Sequence, residues 1–202
     1  MSKIKLFSGM DFSGKTTIIN GINEKMPSKF SIKKKFLTPI DLIENVRKRD
    51  TWLSPEEWKP LLQENIQKDI KEYKENGLIL LDSLWIIKYL AGKIEKNDKQ
   101  DEEEIIILKE LLKKYPEMDS FYITVSMNER IKRFQARAKS GNEITGSDKL
   151  IMDTDKFERR EQIYKKIVLE YFPNTKTIDT TDIDLEQTIN VIINDNIFLK
   201  DM

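Results

Sequence analysis

The stretch Gly9-Met10-Asp11-Phe12-Ser13-Gly14-Lys15-Thr16 reads G-x-x-x-x-G-K-T, the residue pattern of a loop that wraps a chain of phosphates. Its glycines permit a tight turn, successive backbone N–H groups converge on an anion, and the positive end of the following helix faces it. Lys15 is expected to reach the terminal phosphates, and the Thr16 hydroxyl to ligate Mg²⁺. Gly9, Asp11, Phe12, Ser13, Gly14, Lys15, Thr16 and Thr17 therefore form the expected ATP-binding set.

A carboxylate is the second chemical group. Asp82 closes the unbroken apolar run Leu78-Ile79-Leu80-Leu81, which suits a parallel strand buried on both faces with Asp82 at its carboxyl end. Beside a phosphate loop it can hold Mg²⁺, directly or through water, or accept a proton from a hydroxyl. It also suits the N-cap of a helix beginning at Leu84. Arg130, Arg133 and Arg137 fall on one predicted helix, with Arg133 and Arg137 one turn apart on a shared face. Those two are expected either to stabilise charge on a transferring phosphoryl group or to be solvated surface charges, and Arg130 is expected at the surface. Trp52, Trp58 and Trp85 are candidates for base stacking or for the core, and Trp58 and Trp85 flank the expected cleft.

These groups need a scaffold, and the hydrophobic pattern supplies one. Lys3 to Ser8 alternates Ile4 and Leu6 with lysines as a strand does, and Thr17 to Ile22 opens a helix that stops before Pro27. A short strand is predicted around Lys34 to Leu37. Ser54-Pro55-Glu56-Glu57 starts a helix running through Leu61, Leu62, Ile66, Ile70 and Tyr73 to a C-cap at Gly77. A helix from about Leu84 to Lys93 leads into the charge-dense Glu95 to Glu104, read as a solvated loop or helix start. Ile105 to Lys114 is predicted helical, Ser120 to Val125 a strand, and Ser126 to Glu129 an S-x-x-E cap. Residues 139–152 carry Gly141 and Gly146 in a polar stretch expected to be a mobile lid loop. Asp155 to Tyr171 is predicted helical, Thr175 to Asp179 is the last strand, and Asp184 to Gln187 is a second capping box. Five strands alternating with helices imply an α/β three-layer sandwich with a five-stranded, mostly parallel sheet, in one domain spanning residues 1–202. Ligands of such sheets bind beyond the carboxyl ends of the strands.

Composition narrows the chemistry. The chain has 202 residues, 39% of them hydrophobic, which suits a single sizeable core. No cysteine is present, so a disulfide framework and thiolate metal sites are excluded; no histidine is present, so imidazole catalysis is excluded too. Carboxylates, lysine, arginine and Mg²⁺ remain. Zero net charge with 35% charged residues supplies no global field for a nucleic-acid backbone. No apolar run is long enough for a membrane-spanning helix, and Met-Ser-Lys-Ile-Lys passes straight into strand residues, so a cytoplasmic enzyme is expected.

Taken together, the motifs resemble thymidylate kinases and the related deoxynucleoside kinases, P-loop enzymes of nucleotide metabolism. Gly9 to Thr17 looks like the family's G-x-D-x-S-G-K-T-T loop, in which the residue matching Asp11 faces the substrate sugar. Pro39 and Glu44-Asn45-Val46-Arg47 resemble, at shorter spacing, the family's segment after the second strand. Phe121 to Arg137 looks like the fourth strand and the arginine helix leading into the lid, and Asp155-x-Phe157-x-Arg159 with Tyr164 like the helix after it. Thr177-Ile178-Asp179 resembles the fifth strand, whose following turn lies near the adenine. The resemblance implies ATP- and Mg-dependent phosphoryl transfer to a nucleoside monophosphate. It assigns catalysis to Lys15, Asp82, Arg133 and Arg137, metal ligation to Thr16 and Asp82, and substrate binding to Asp11, Arg47, Trp58, Gln63, Gln67 and Trp85. A homodimer built from helices, such as those bearing Trp85 and Tyr89, is also implied.

The departures bear on the acceptor. Where these kinases carry Asp-Arg-Tyr or Glu-Arg-Ser after the third strand, this chain has Asp82-Ser83-Leu84, and Gln63 and Gln67 stand where thymidylate kinases place a stacking Phe and an Arg. An anionic acceptor needs cations and a hydroxyl acceptor needs a base, so lost arginines beside a retained Asp82 move weight toward a hydroxyl. Gln63 looks like the base-pairing glutamine of deoxynucleoside kinases, and Arg47, Lys48, Arg49 or Lys88 are sources of compensating charge. The alternatives are therefore a nucleoside, a hydroxymethyl pyrimidine free or in DNA, or a nucleotide-binding protein that transfers nothing. DNA is opposed by the neutral net charge. A GTPase is disfavoured because Asp82-Ser83-Leu84-Trp85 lacks the glycine of D-x-x-G and no N-K-x-D occurs.

Overall fold

In a computed structural model of the chain, the described residues are 4–27, 29–34, 59, 60, 63, 64, 66–68, 71, 78–96, 101–141, 144 and 148–200. Strands β1 (Ile4–Ser8), β2 (Phe30–Lys34), β3 (Leu78–Asp82), β4 (Asp119–Thr124) and β5 (Thr175–Asp179) form one sheet in the order β2-β3-β1-β4-β5. Every neighbouring pair is parallel. The helices are α1 (Lys15–Lys25), α2 (Trp85–Lys96), α3 (Glu102–Leu112), α4 (Met127–Lys139), α5 (Thr154–Tyr171), α6 (Leu185–Ile193) and α7 (Asn196–Leu199), with a 3₁₀ turn at Asp148–Met152. Among the described residues no helix is long and apolar enough to cross a membrane.

Strand alternation sorts the core into two layers. Leu6, Ile79, Leu81 and Tyr122 meet α2, α3 and α5 through Ile86, Leu90, Leu108, Phe157 and Val168. Their strand neighbours Phe7, Leu80, Phe121 and Ile123 meet α1, α6 and α7 through Ile18, Ile22, Ile189 and Phe198. Each fully buried aliphatic side chain of this kind contributes roughly 1.5–3 kcal/mol. The central strand is buried throughout, Lys5 included. Lys5 lies in the interior, where its ammonium pairs with Asp119 at 2.8 Å and donates to the Ile197 carbonyl at 2.6 Å. A charge with no water needs such partners.

Other expectations shift. The second strand is described at Phe30–Lys34, in register with Leu78 to Asp82, and the predicted Lys34 to Leu37 lies outside the described residues after Lys34. The charged stretch from Glu95 is not simply solvated: Glu95 holds Arg160 at 2.7 Å, and Lys93 pairs with Asp101 at 2.8 Å and with Glu104 at 2.5 Å, tying α2 to α3 and α5. At α4 the Ser126 hydroxyl accepts from Glu129 N–H at 3.4 Å, but the Ser126 N–H donates to Thr181 and the Glu129 carboxylate turns to Arg133, so only half of the expected box forms. The box at Asp184 and Gln187 is complete. Ile66, within the helical residues among 59–71, enters the core. The Ser54 cap, Gly77 and part of the 139–152 segment lie outside the described residues.

Candidate active site

Parallel pairing brings the carboxyl ends of the strands to one edge, with Phe7 opposite Asp82 and Ser8 opposite Tyr122. Gly9 to Gly14 leave that edge and turn into α1. Gly9 sits at φ +143, where an added Cβ would press into the Ile123 carbonyl oxygen, and Gly14 sits at φ +91. Phe12 adopts φ 63 without being glycine, a conformation costing on the order of 1 kcal/mol, and its ring meets Phe134 edge-on at 5.5 Å. No side chain caps α1, so its first N–H groups face whatever the loop encloses.

Within the loop the Lys15 ammonium donates to the Met10 carbonyl at 2.9 Å and the Ser13 hydroxyl at 3.2 Å. Burial pulls its pKa down to about 8; Asp11 and Asp82 oppose that fall, and Lys88 and Arg130 add to it. The Thr16 hydroxyl donates to Asp82 Oδ2 at 2.5 Å, so the two expected metal ligands stand together at the strand ends. Asp82 is buried, and Ser83 behind it takes φ 60 before α2 begins at Trp85. An oxygen pair of hydroxyl and carboxylate suits Mg²⁺, which binds few protein ligands and keeps several waters.

A cleft of ≈ 410 Å³ opens beside the loop, reaching from Asp11 and Lys15 along α2 to Arg160 and Tyr164. Trp85, Lys88, Tyr89, Gly92, Lys93 and Lys96 line it at helical spacing, one face of α2. Trp85 and Tyr89 lie 6.0 Å apart between ring centres, and both line the cleft. The Tyr89 hydroxyl donates to Glu104 at 2.6 Å, and burial pushes its pKa up. Lys88 pairs with Asp11 at 2.6 Å.

Arg130 is not at the surface: it is wholly buried. Its Nε donates to the Val125 carbonyl at 3.1 Å, one terminal nitrogen to the Asp11 carbonyl at 2.7 Å, and the other pairs with Glu161. Phe157 lies 5.2 Å under its guanidinium. One turn on, Arg133 donates to the Phe12 carbonyl at 3.2 Å, and Arg137 lies 6.0 Å from the Phe12 ring and 3.8 Å from Asp148. The arginine helix therefore converges on the loop. A second pocket of ≈ 220 Å³ lies on the other side, lined by Ser13, Gly14, Thr17, Arg133, Thr180 and Thr188 among others.

Lys15, Thr16, Asp82, Asp11 and Trp85 are thus brought together. Gln63 is half-buried and Gln67 exposed, and neither lines the described wall of the cleft. Arg47, Trp52 and Trp58 lie outside the described residues. Sequence reasoning missed Arg160, Lys93 and Lys96; the last two continue the face begun at Trp85 at i+8 and i+11, and that helical spacing was their signal. The Arg130–Glu161 pair had no local signal, because α5 closes it from 31 residues away.

The described architecture, a five-stranded parallel sheet between helices, is similar in fold to solved nucleoside and nucleotide kinases. It superposes on a thymidylate kinase from Candida albicans with a TM-score of 0.70 at 20% identity, covering 98% of this chain and 92% of that one. A deoxyadenosine kinase from M. mycoides with bound dATP gives 0.62 at 20% identity over 95% and 97%. The YorR protein from Bacillus subtilis, in complex with phosphorylated GDP, gives 0.54 at 15% identity over 94% and 93%. No protein-family model and no curated protein sequence matches the chain.

Proposed function

We propose that the protein is an ATP- and Mg-dependent phosphotransferase acting on a nucleotide or nucleoside, with a nucleoside monophosphate as the leading acceptor. The observation that carries this reading is the Thr16–Asp82 contact of 2.5 Å at the mouth of a glycine-turned loop that encloses Lys15. Loop N–H groups and Lys15 hold the β- and γ-phosphates, and Thr16 and Asp82 hold the metal. When bound, Mg²⁺ neutralises charge on the phosphate oxygens. The smaller pocket at Thr180 suits the adenine, and the cleft along α2 suits the acceptor. The acceptor oxygen forms its bond to the γ-phosphorus as the bond from that phosphorus to the β–γ bridging oxygen breaks, and ADP leaves with the electron pair. Arg133 and Arg137, gathered at Phe12, supply positive charge to the group in transfer.

A hydroxyl acceptor is the second reading, favoured by Ser83, which puts no cation directly behind Asp82. Asp82 then takes the proton of the attacking hydroxyl. A homodimer built from helices, such as those bearing Trp85 and Tyr89, belongs to the proposal as well; sedimentation as a monomer at assay concentration removes it. The deciding experiment follows ADP release with Mg²⁺ against nucleosides, nucleoside monophosphates and short single-stranded DNA, beside Lys15→Ala. Turnover of one acceptor class, abolished in a folded Lys15→Ala protein, supports the reading. ATP binding without turnover on any acceptor refutes it in favour of a binding protein.

A further inference from the structure

We propose that Lys88 is the residue by which this site selects an anionic acceptor, its ammonium holding the acceptor's phosphate beside Asp11. The inference rests on the phosphotransfer reading and addresses the charge of the second substrate.

Three observations carry it. Lys88 projects from the second turn of α2 into the cleft, and its ammonium is fixed 2.6 Å from Asp11 Oδ2 at the end nearest Lys15. Asp11 itself is fixed from behind, because buried Arg130 holds its backbone carbonyl at 2.7 Å. The Lys88 charge therefore has a defined place: close enough to Lys15 to lower that group's pKa, and on the acceptor side of the loop. An ammonium has three donors, and Asp11 is the partner Lys88 has among the described residues, so donors remain for a ligand.

The other cations of the cleft are placed differently. Lys93 and Arg160 are engaged by carboxylates of α2 and α3 or of the segment before α3, away from the loop. Lys96 lies about 12 Å further along the helix than Lys88, at 1.5 Å of rise per residue. The Lys15 ammonium is turned into the loop. An acceptor phosphate that approaches the γ-phosphate thus meets Lys88 first. A neutral hydroxyl gains an ordinary hydrogen bond there, whereas a phosphate accepts charge-assisted hydrogen bonds from the ammonium donors that Asp11 leaves open.

The test compares wild type, Lys88→Met and Lys88→Arg on thymidine and deoxyadenosine and on their 5′-monophosphates. The expected result is turnover of a monophosphate whose KM rises about tenfold or more in Lys88→Met, as loss of a charge-assisted hydrogen bond implies, while the KM for ATP stays within about twofold. Lys88→Arg restores most of the acceptor KM, and the acceptor KM rises with salt in wild type far more than in Lys88→Met. A purely structural lysine would instead move both KM values, or neither, and show no such salt difference. An unchanged monophosphate KM in Lys88→Met overturns the inference and leaves the phosphotransfer reading intact; so does wild-type turnover confined to neutral nucleosides. Absence of any turnover defeats the phosphotransfer reading instead. In that case calorimetric binding of the same monophosphates, without ATP, reads Lys88 directly: equal affinity for wild type and Lys88→Met, or no binding to either, overturns the inference.

Discussion

Arg130 donates to the backbone carbonyl of Asp11 at 2.7 Å, so the phosphate loop rests on a guanidinium that has no access to water. Glu161 of α5 neutralises that guanidinium, and the Tyr122 hydroxyl donates to the same carboxylate oxygen at 3.2 Å. The glycine-rich loop is thereby built over a cation that is already paired.

Breaking that pair from either side leaves a buried charge without its complement. Glu161→Gln and Arg130→Met are each expected to lose about 3–5 kcal/mol of stability, with the double variant recovering part of the loss. Urea denaturation of the four proteins measures the coupling. Additive losses would mean that the pair is not the unit described.

Titration of Lys15 gives a pH dependence with a definite sign. Burial holds its pKa at about 8 in the free loop, below its ordinary value, and bound phosphates favour the protonated form. ATP affinity should therefore be level below about pH 8 and fall as pH rises through it, by up to about tenfold per unit, with proton uptake on binding near pH 8–9. Calorimetry in two buffers of different ionisation enthalpy measures that uptake. Lys15→Arg should bind without it.

The 2.5 Å contact between Thr16 and Asp82 makes a second chemical prediction. Thr16→Val and Asp82→Asn should each lower kcat on the order of 100-fold and raise the Mg²⁺ concentration needed for half-maximal rate, with little change in ATP binding measured without metal. A kcat that falls with an unchanged Mg²⁺ requirement would remove these residues from the metal site.

Gly9 is the most constrained point of the loop. Gly9→Ala combines a disfavoured φ of +143 with a clash against the Ile123 backbone, and should abolish ATP binding while the chain remains folded. Binding of a fluorescent ATP analogue, checked against far-UV circular dichroism, tests this.

Much of this arrangement is legible from local pattern. Gly9 to Thr16 sits between a strand and a helix, the run Leu78 to Leu81 announces a strand buried on both faces, and Thr175 to Asp179 is the fifth strand at both of its ends. Such signals arise from the turn chemistry and periodicity of neighbouring residues. Arg130 was expected at the surface, and the burial of Lys5 carries no local signal either, for the same reason. A charged residue within an amphipathic pattern looks solvated unless a distant carboxylate, here Glu161 or Asp119, closes on it, and that closure is a property of the assembled sheet and helices. The described second strand, Phe30–Lys34, carries little strand signal of its own and takes its register from pairing with β3.

Strand β1 stands in the middle of the sheet, with the cleft along α2 on its β3 side and the pocket at Thr180 on its β5 side, and among the described residues none lines both. Substitutions along α2 can therefore accumulate without disturbing the groups on the opposite flank. The two flanks of β1 are thus separable modules: what one side contacts can be altered residue by residue while the loop from Gly9 to Thr17 keeps its own geometry.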